Sequence, residues 1–183
     1  APKLNVVKVA FIGLGARGSG HAKQISAIEG TEVVAICDLY DDLAKKSFDV
    51  CKEIGNNERH KNIAIYSGDE NNWRTMLKEV QPDAVFISTN WDNHGPMAIE
   101  TMKNGAHAFV EVPMATTIKD LWDIVNTSEK TRKHCMMMEN VNYGRDELMY
   151  LNMCRKGIIG DFLQAEAAYI HELRFQMKEE KRG

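Results

Sequence analysis

Lys8-Val9-Ala10-Phe11-Ile12-Gly13-Leu14-Gly15-Ala16-Arg17-Gly18 decides how this chain folds. A short run of strand character leads straight into G-x-G-x-x-G. Ala22, Ile25 and Ile28 then recur at helical spacing until Gly30. A glycine-rich turn between a buried strand and a helix is the fingerprint of a dinucleotide-binding unit. The three glycines act differently. Gly13 permits the tight turn, Gly15 lets the backbone approach a pyrophosphate, and Gly18 lets the helix pack close to the sheet. The amides that open the helix would then face the phosphates at the favourable end of the helix dipole.

The alternation continues downstream. Apolar runs at Glu32–Cys37, Ile63–Tyr66, Ala84–Ser88, Ala106–Val110 and His134–Glu139 read as further strands. Between them, Asp41 and Asp42 open a helix with Leu43, Ser47, Val50 and Ile54 as its inner stripe. Helices are also predicted over 70–80 and 95–103, and the i, i+3, i+4, i+7 spacing of Ile118, Leu121, Trp122 and Val125 predicts another. Short apolar strands separated by amphipathic helices are what a parallel sheet covered on both faces requires. Residues 1–140 are therefore expected to form an α/β domain, a doubly wound parallel sheet of the Rossmann type.

The pattern changes after Asn140. A helix is predicted over 144–156, stopped by Gly157, and Phe162–Ile170 reads as one strand of something new. One helix and one strand cannot bury their own apolar faces. Residues 141–183 are thus expected to be the truncated start of a second, α+β substrate domain.

Composition narrows the function classes. The 183 residues carry a formal charge of −3, with 44% hydrophobic and 27% charged residues, enough for one well-filled core but short for two complete domains. The basic residues are dispersed, which leaves no electrostatic footprint for nucleic acid. No apolar run approaches the roughly 18 residues of a membrane span. The four cysteines, Cys37, Cys51, Cys135 and Cys154, form no C-x-x-C pair, so neither disulfides nor a metal site are expected.

Asp38 ends the second strand, where a carboxylate accepts hydrogen bonds from ribose hydroxyls and repels a 2′-phosphate. NAD is therefore preferred over NADP. Two later loops leave the carboxyl ends of strands, where ligands of such sheets sit. They are Thr89-Asn90-Trp91-Asp92-Asn93-His94-Gly95-Pro96, expected to line the nicotinamide half, and Glu111-Val112-Pro113. His21, His60, His107 and His134 have no partner at a meaningful spacing and read as structural.

The fingerprint strand, the acidic end of the second strand, T-N-W-x-x-H at Thr89–His94 and E-x-P at Glu111–Pro113 together resemble the glucose–fructose oxidoreductase/inositol dehydrogenase/MocA superfamily. The likeness runs over about residues 6–175. It implies a dinucleotide domain followed by a larger α+β domain, whose open sheet carries the sugar site. The common superfamily motif is Glu-Lys-Pro, with its lysine near the reacting carbinol. Here Val112 takes the lysine's place, which weighs against simple sugar-alcohol dehydrogenation.

Met136–Met149 and Glu166–Arg174 resemble the glycoside hydrolase family 109 branch, known for NAD-dependent α-N-acetylgalactosaminidases. By that resemblance Arg17, Gly18, Asp38, Trp91, Asp92, Asn93, His94, Glu111, Val112 and Asn140 would contact NAD, beside Gly13, Gly15 and Asn90 from the loops themselves. Tyr169 would contact the sugar. His171 shares its face of the expected strand and is the candidate proton-transfer residue.

The implied activity needs no flanking pair of carboxylates. Transient oxidation at C3 of the sugar acidifies the C2 proton; elimination, water addition and re-reduction follow, and NAD ends oxidised. The implied partner is a small-molecule carbohydrate, and intact members commonly self-associate, so a homo-oligomer is expected. The chain by itself is expected to bind NAD without turnover. Two alternatives stand beside this reading: an NAD-dependent sugar dehydrogenase, and an NAD-binding module without catalysis. The opening Ala1-Pro2-Lys3 lacks a methionine and is expected to follow removal of an upstream segment. Unpaired thiols suit a reducing cytosol, whereas the resemblance favours export to a bacterial periplasm.

Overall fold

Strand and helix alternate from Val7 to Arg155 in the computed structural model, which describes residues 4–55, 59–172 and 174. In chain order the elements are β1 (Val7–Ile12), α1 (Ala16–Ser26), β2 (Thr31–Asp38), α2 (Asp41–Ile54), β3 (Ala64–Ser67) and α3 (Asn72–Val80). They continue with β4 (Ala84–Ile87), α4 (Trp91–Lys103), β5 (His107–Glu111), α5 (Ile118–Thr131), β6 (Cys135–Met138) and α6 (Arg145–Arg155). The strands form one parallel sheet in the order β3-β2-β1-β4-β5-β6. The chain winds outward from β1 in one direction and from β4 in the other. Connections therefore diverge between these two strands, and that divergence opens a crevice at their carboxyl ends.

Successive side chains of a strand point to opposite faces, and the sheet is apolar on both. On one face Ala10, Ile12, Ala35, Cys37, Val85 and Ile87 pack with Trp73, Met76 and Leu77 of α3 and Met97 and Met102 of α4. On the other, Val9, Phe11, Val33 and Ile36 pack with Ala22 of α1 and with Ala44 and Cys51 of α2. Phe11, Phe86 and Phe109 stack in a row across β1, β4 and β5, with centroids 5.4 and 4.8 Å apart. Burying each large apolar side chain is worth about 1.5–3 kcal/mol.

The β1–β2 register slips between Val9 and Ala10: Val9 pairs with Val33 but Ala10 with Ala35, so Val34 is an extra residue in β2. A bulge disrupts the local ladder. His60, fully buried, serves this stretch: Val33 N–H donates to its Nδ1 (3.1 Å) and its Nε2 donates to Ser26 O (3.0 Å).

Several expectations change on contact with the structure. The helix predicted from Gly95 begins at Trp91 and runs through Pro96. Asn93 N–H bonds to Asn90 O (3.1 Å) and tightens the opening turn, which turns half of the expected loop into helix. The buried stripe of α2 is Ala44, Ser47 and Cys51; Leu43, Val50 and Ile54 are half-buried beside it. Ile28 lies past the end of α1 and is exposed. On α5 the buried residue is Ile124, whereas Ile118, Leu121, Trp122 and Val125 all lie at least 42% exposed.

The division of the described residues falls between Met138 and Glu139. In the second unit α6 buries none of its residues. The strand expected at Phe162–Ile170 does not form, and these residues are exposed without regular structure. A strand exists only as part of a ladder, and no second strand of this unit is present among the described residues to supply one.

Candidate functional site

The glycine turn is shaped so tightly that side chains are excluded. Gly13 adopts φ +82°, and a Cβ there would lie 2.5 Å from Ser88 O on β4's end. A Cβ on Gly18 would overlap the Gly13 carbonyl oxygen. Gly15 caps α1 with no side-chain hydrogen bond, so the first amides of a helix that starts just beyond the carboxyl end of β1 are left for a ligand or solvent.

Asp38 holds this turn in place. It is buried at the end of β2, and Leu14 N–H donates to its Oδ2 (2.5 Å) while Tyr40 N–H donates to its Oδ1 (2.8 Å). Each carboxylate oxygen can accept more than one bond, so two acceptor positions remain for ribose hydroxyls. A backbone cradle closed to side chains, opening a helix, with a fixed carboxylate one strand away, fits a dinucleotide with a free 2′-hydroxyl.

Beyond the switch point, β5 ends in Glu111. Arg17 Nη2 donates to its Oε1 (3.2 Å), and His21 Nε2 lies 2.5 Å from the same oxygen. Burial alone would raise the Glu111 carboxyl, but the His21 bond, the Arg17 guanidinium and the Val112 N–H outweigh it and hold it below its ordinary value. His21 is the site residue that sequence reasoning missed. The available signal was its place four residues after Arg17, on the same face of α1.

The two loops on this side are joined through His94. Its ring is buried, with Nδ1 2.7 Å from Pro113 O and Nε2 3.0 Å from Thr89 O. Its neighbours Asn90, Trp91, Asp92 and Asn93 stay exposed at the start of α4. Asn93 Nδ2 donates to Asn90 Oδ1 (2.6 Å), and Thr116 Oγ1 to Asp92 Oδ1 (3.3 Å). Val112 is 44% exposed and precedes a cis peptide bond to Pro113.

The remaining expected residues belong to the second unit. Asn140 is exposed near its start. Tyr169 and His171 do meet: Tyr169 OH lies 3.3 Å from His171 Nδ1, and the rings make an edge contact at 5.8 Å. Among the described residues no group of three metal-binding side chains gathers. None of their helices is long and apolar enough to cross a membrane.

Residues 7–139 match the oxidoreductase family with an NAD-binding Rossmann fold. The chain belongs to that family. NAD is thus the cofactor of this Rossmann domain, and the shape of the glycine turn fits it. Within the family its branch is also marked, because residues 143–182 match the C-terminal domain of glycosyl hydrolase 109.

Glycosyl hydrolase family 109 protein 1 of Akkermansia muciniphila is 58% identical over 183 residues, and a family 109 protein of Shewanella baltica is 53% identical over 179. The alignments cover 100% and 98% of this chain but only 37% and 38% of those relatives. Among solved structures, scyllo-inositol dehydrogenase from Lactobacillus casei with bound NAD(H) and scyllo-inositol superposes with a TM-score of 0.70 at 20% identity. That alignment covers 85% of this chain and 43% of the dehydrogenase, and it bears out the doubly wound fold.

Proposed function

We propose that the whole protein is an NAD-dependent glycoside hydrolase acting on α-N-acetylgalactosaminides. The observation that carries the reading is the pairing, within one chain, of a dinucleotide cradle with a segment matching the glycosyl hydrolase 109 C-terminal domain. Bound NAD would supply a hydride acceptor and donor for transient oxidation at C3, with elimination, water addition and re-reduction completing a net hydrolysis. In this reading Gly13, Gly15 and Gly18 receive the diphosphate, Asp38 holds the ribose, and the exposed Trp91 borders the nicotinamide half. Tyr169 meets the sugar, and His171, within reach of the Tyr169 hydroxyl, moves a proton. The chain alone binds NAD without turnover.

The test is to incubate the full-length protein with an aryl α-N-acetylgalactosaminide while following released aglycone and NADH absorbance together. The expected result is aglycone release with no net NADH. A sugar dehydrogenase is the second reading, favoured by the likeness to inositol dehydrogenases. Stoichiometric NADH from free sugars, with no bond cleavage, would establish that reading and overturn the first.

A further inference from the structure

Glu111 presents a problem of charge. A carboxylate only 13% exposed stands at the end of β5, on the side of the sheet that must receive a doubly anionic diphosphate. Left unpaired it would repel the ligand and suffer the cost of burial. It is retained by donors: Arg17, His21 and the Val112 N–H all bond to it, with the first two sharing Oε1. These donors differ in kind. Arg17 is a long side chain, 56% exposed, whereas the His21 ring is 19% exposed and reaches the carboxylate from the second turn of α1. Of the two side chains, the ring fixes position better, because it has fewer rotatable bonds and more of it is packed.

A held carboxylate on this side of the switch point has an obvious counterpart. Oxidised NAD carries a positive charge on its nicotinamide ring and the reduced form does not, and that half of the dinucleotide belongs to the β4–β5 half of such a sheet. Resting on the NAD site at the glycine turn, we propose that His21 is a positioning residue. It pins Glu111 so that the site binds NAD more tightly than NADH. Loss of His21 lets the carboxylate swing away, and the preference goes with it. A glutamine at this position, whose amide nitrogen can occupy the place of Nε2, keeps it.

The experiment is calorimetric titration of the 183-residue chain with NAD and, separately, with NADH, together with thermal melts of each protein. H21L and E111Q should both lower the ratio of NAD to NADH affinity, by roughly tenfold, the scale of one charge interaction at a half-buried site. H21Q should stay within about twofold of wild type, well under the tenfold that 1.4 kcal/mol represents. Equal weakening of both forms in H21L, or an unchanged ratio in E111Q, would overturn the proposal. So would an H21Q that behaves like H21L. Should H21L melt too low to titrate, H21N, whose shorter amide cannot reach the Glu111 carboxylate, takes its place and should lower the ratio in the same way; an unchanged ratio in H21N would overturn the proposal. Failure of the wild type to bind either form would instead sink the cofactor site itself, and the proposal with it.

Discussion

Asp38→Asn tests whether one carboxylate both shapes the glycine turn and selects the cofactor. The substitution preserves volume and removes the charge. An aspartate accepts from Leu14 N–H and Tyr40 N–H at once. An asparagine has one oxygen and one NH2, so whichever way it turns, one backbone N–H faces a donor. A hydrogen bond to a charged acceptor is worth about 1.5–3 kcal/mol, and a buried donor left unsatisfied costs about 1–3 kcal/mol. With the surviving bond also weakened, the variant should lose about 2–4 kcal/mol. For a chain of this size that lowers Tm by roughly 4–16 °C. Scanning calorimetry without ligand measures the loss; repeating it with NAD and with NADP measures selection. The variant should gain less Tm from NAD than wild type does, and relatively more from NADP, because the repulsion of a 2′-phosphate is gone. A ligand-free D38N that melts with wild type, or keeps the full discrimination, would refute the double role.

The buried His60 makes stability depend on acid. Burial lowers its proton affinity in the fold, and its Nδ1 must stay unprotonated to accept from Val33 N–H. An unfolded histidine titrates near pH 6.5. As pH falls below that, the unfolded chain takes up a proton that the fold refuses, so stability is full above about 6.5 and lost below it. Urea midpoints should fall between about pH 7.5 and about pH 5 in wild type and fall less in H60Q; an equal fall would remove His60 as the cause. Trp91 is 64% exposed at the start of α4, so NAD should quench tryptophan fluorescence in wild type and in W122F but much less in W91F. A full quench in W91F would place the ring away from the cofactor. Thr117 caps α5 by accepting from Asp120 N–H (3.0 Å). T117A should therefore cost about 1 kcal/mol in urea unfolding and T117S far less, whereas equal midpoints for all three would show that the cap contributes nothing.

The sheet was legible because strand runs and glycine turns are local signals, and the crevice follows from their order. The steric demands at Gly13 and Gly18 could be read for the same reason, since each belongs to a fixed place in a strand–turn–helix unit. That Asp38 also holds the turn through Leu14 N–H could not be read, because the bond spans 24 residues. His21 could not, because its partner Glu111 lies 90 residues away and only folding brings them together. His60 reads as structural and is so, but its partners Val33 and Ser26 were hidden, because the bulge it serves has a register no single strand records. On α5 the spacing located the helix but not its inner face, since apolar residues on one stripe do not say what covers them. Phe162–Ile170 has strand composition, but composition cannot supply a neighbouring strand.

His94 ties Thr89 and Pro113 to a single ring, and this has a bearing on redesign. Neither carbonyl can shift without disturbing the ring's contact to the other, so an edit in one loop should be felt in the other. Replacing Val112 by lysine, to restore the dehydrogenase motif, would disturb the residue next to one end of that tie. Such a graft would retune cofactor grip together with any new proton chemistry, and the two effects would have to be separated before either was credited.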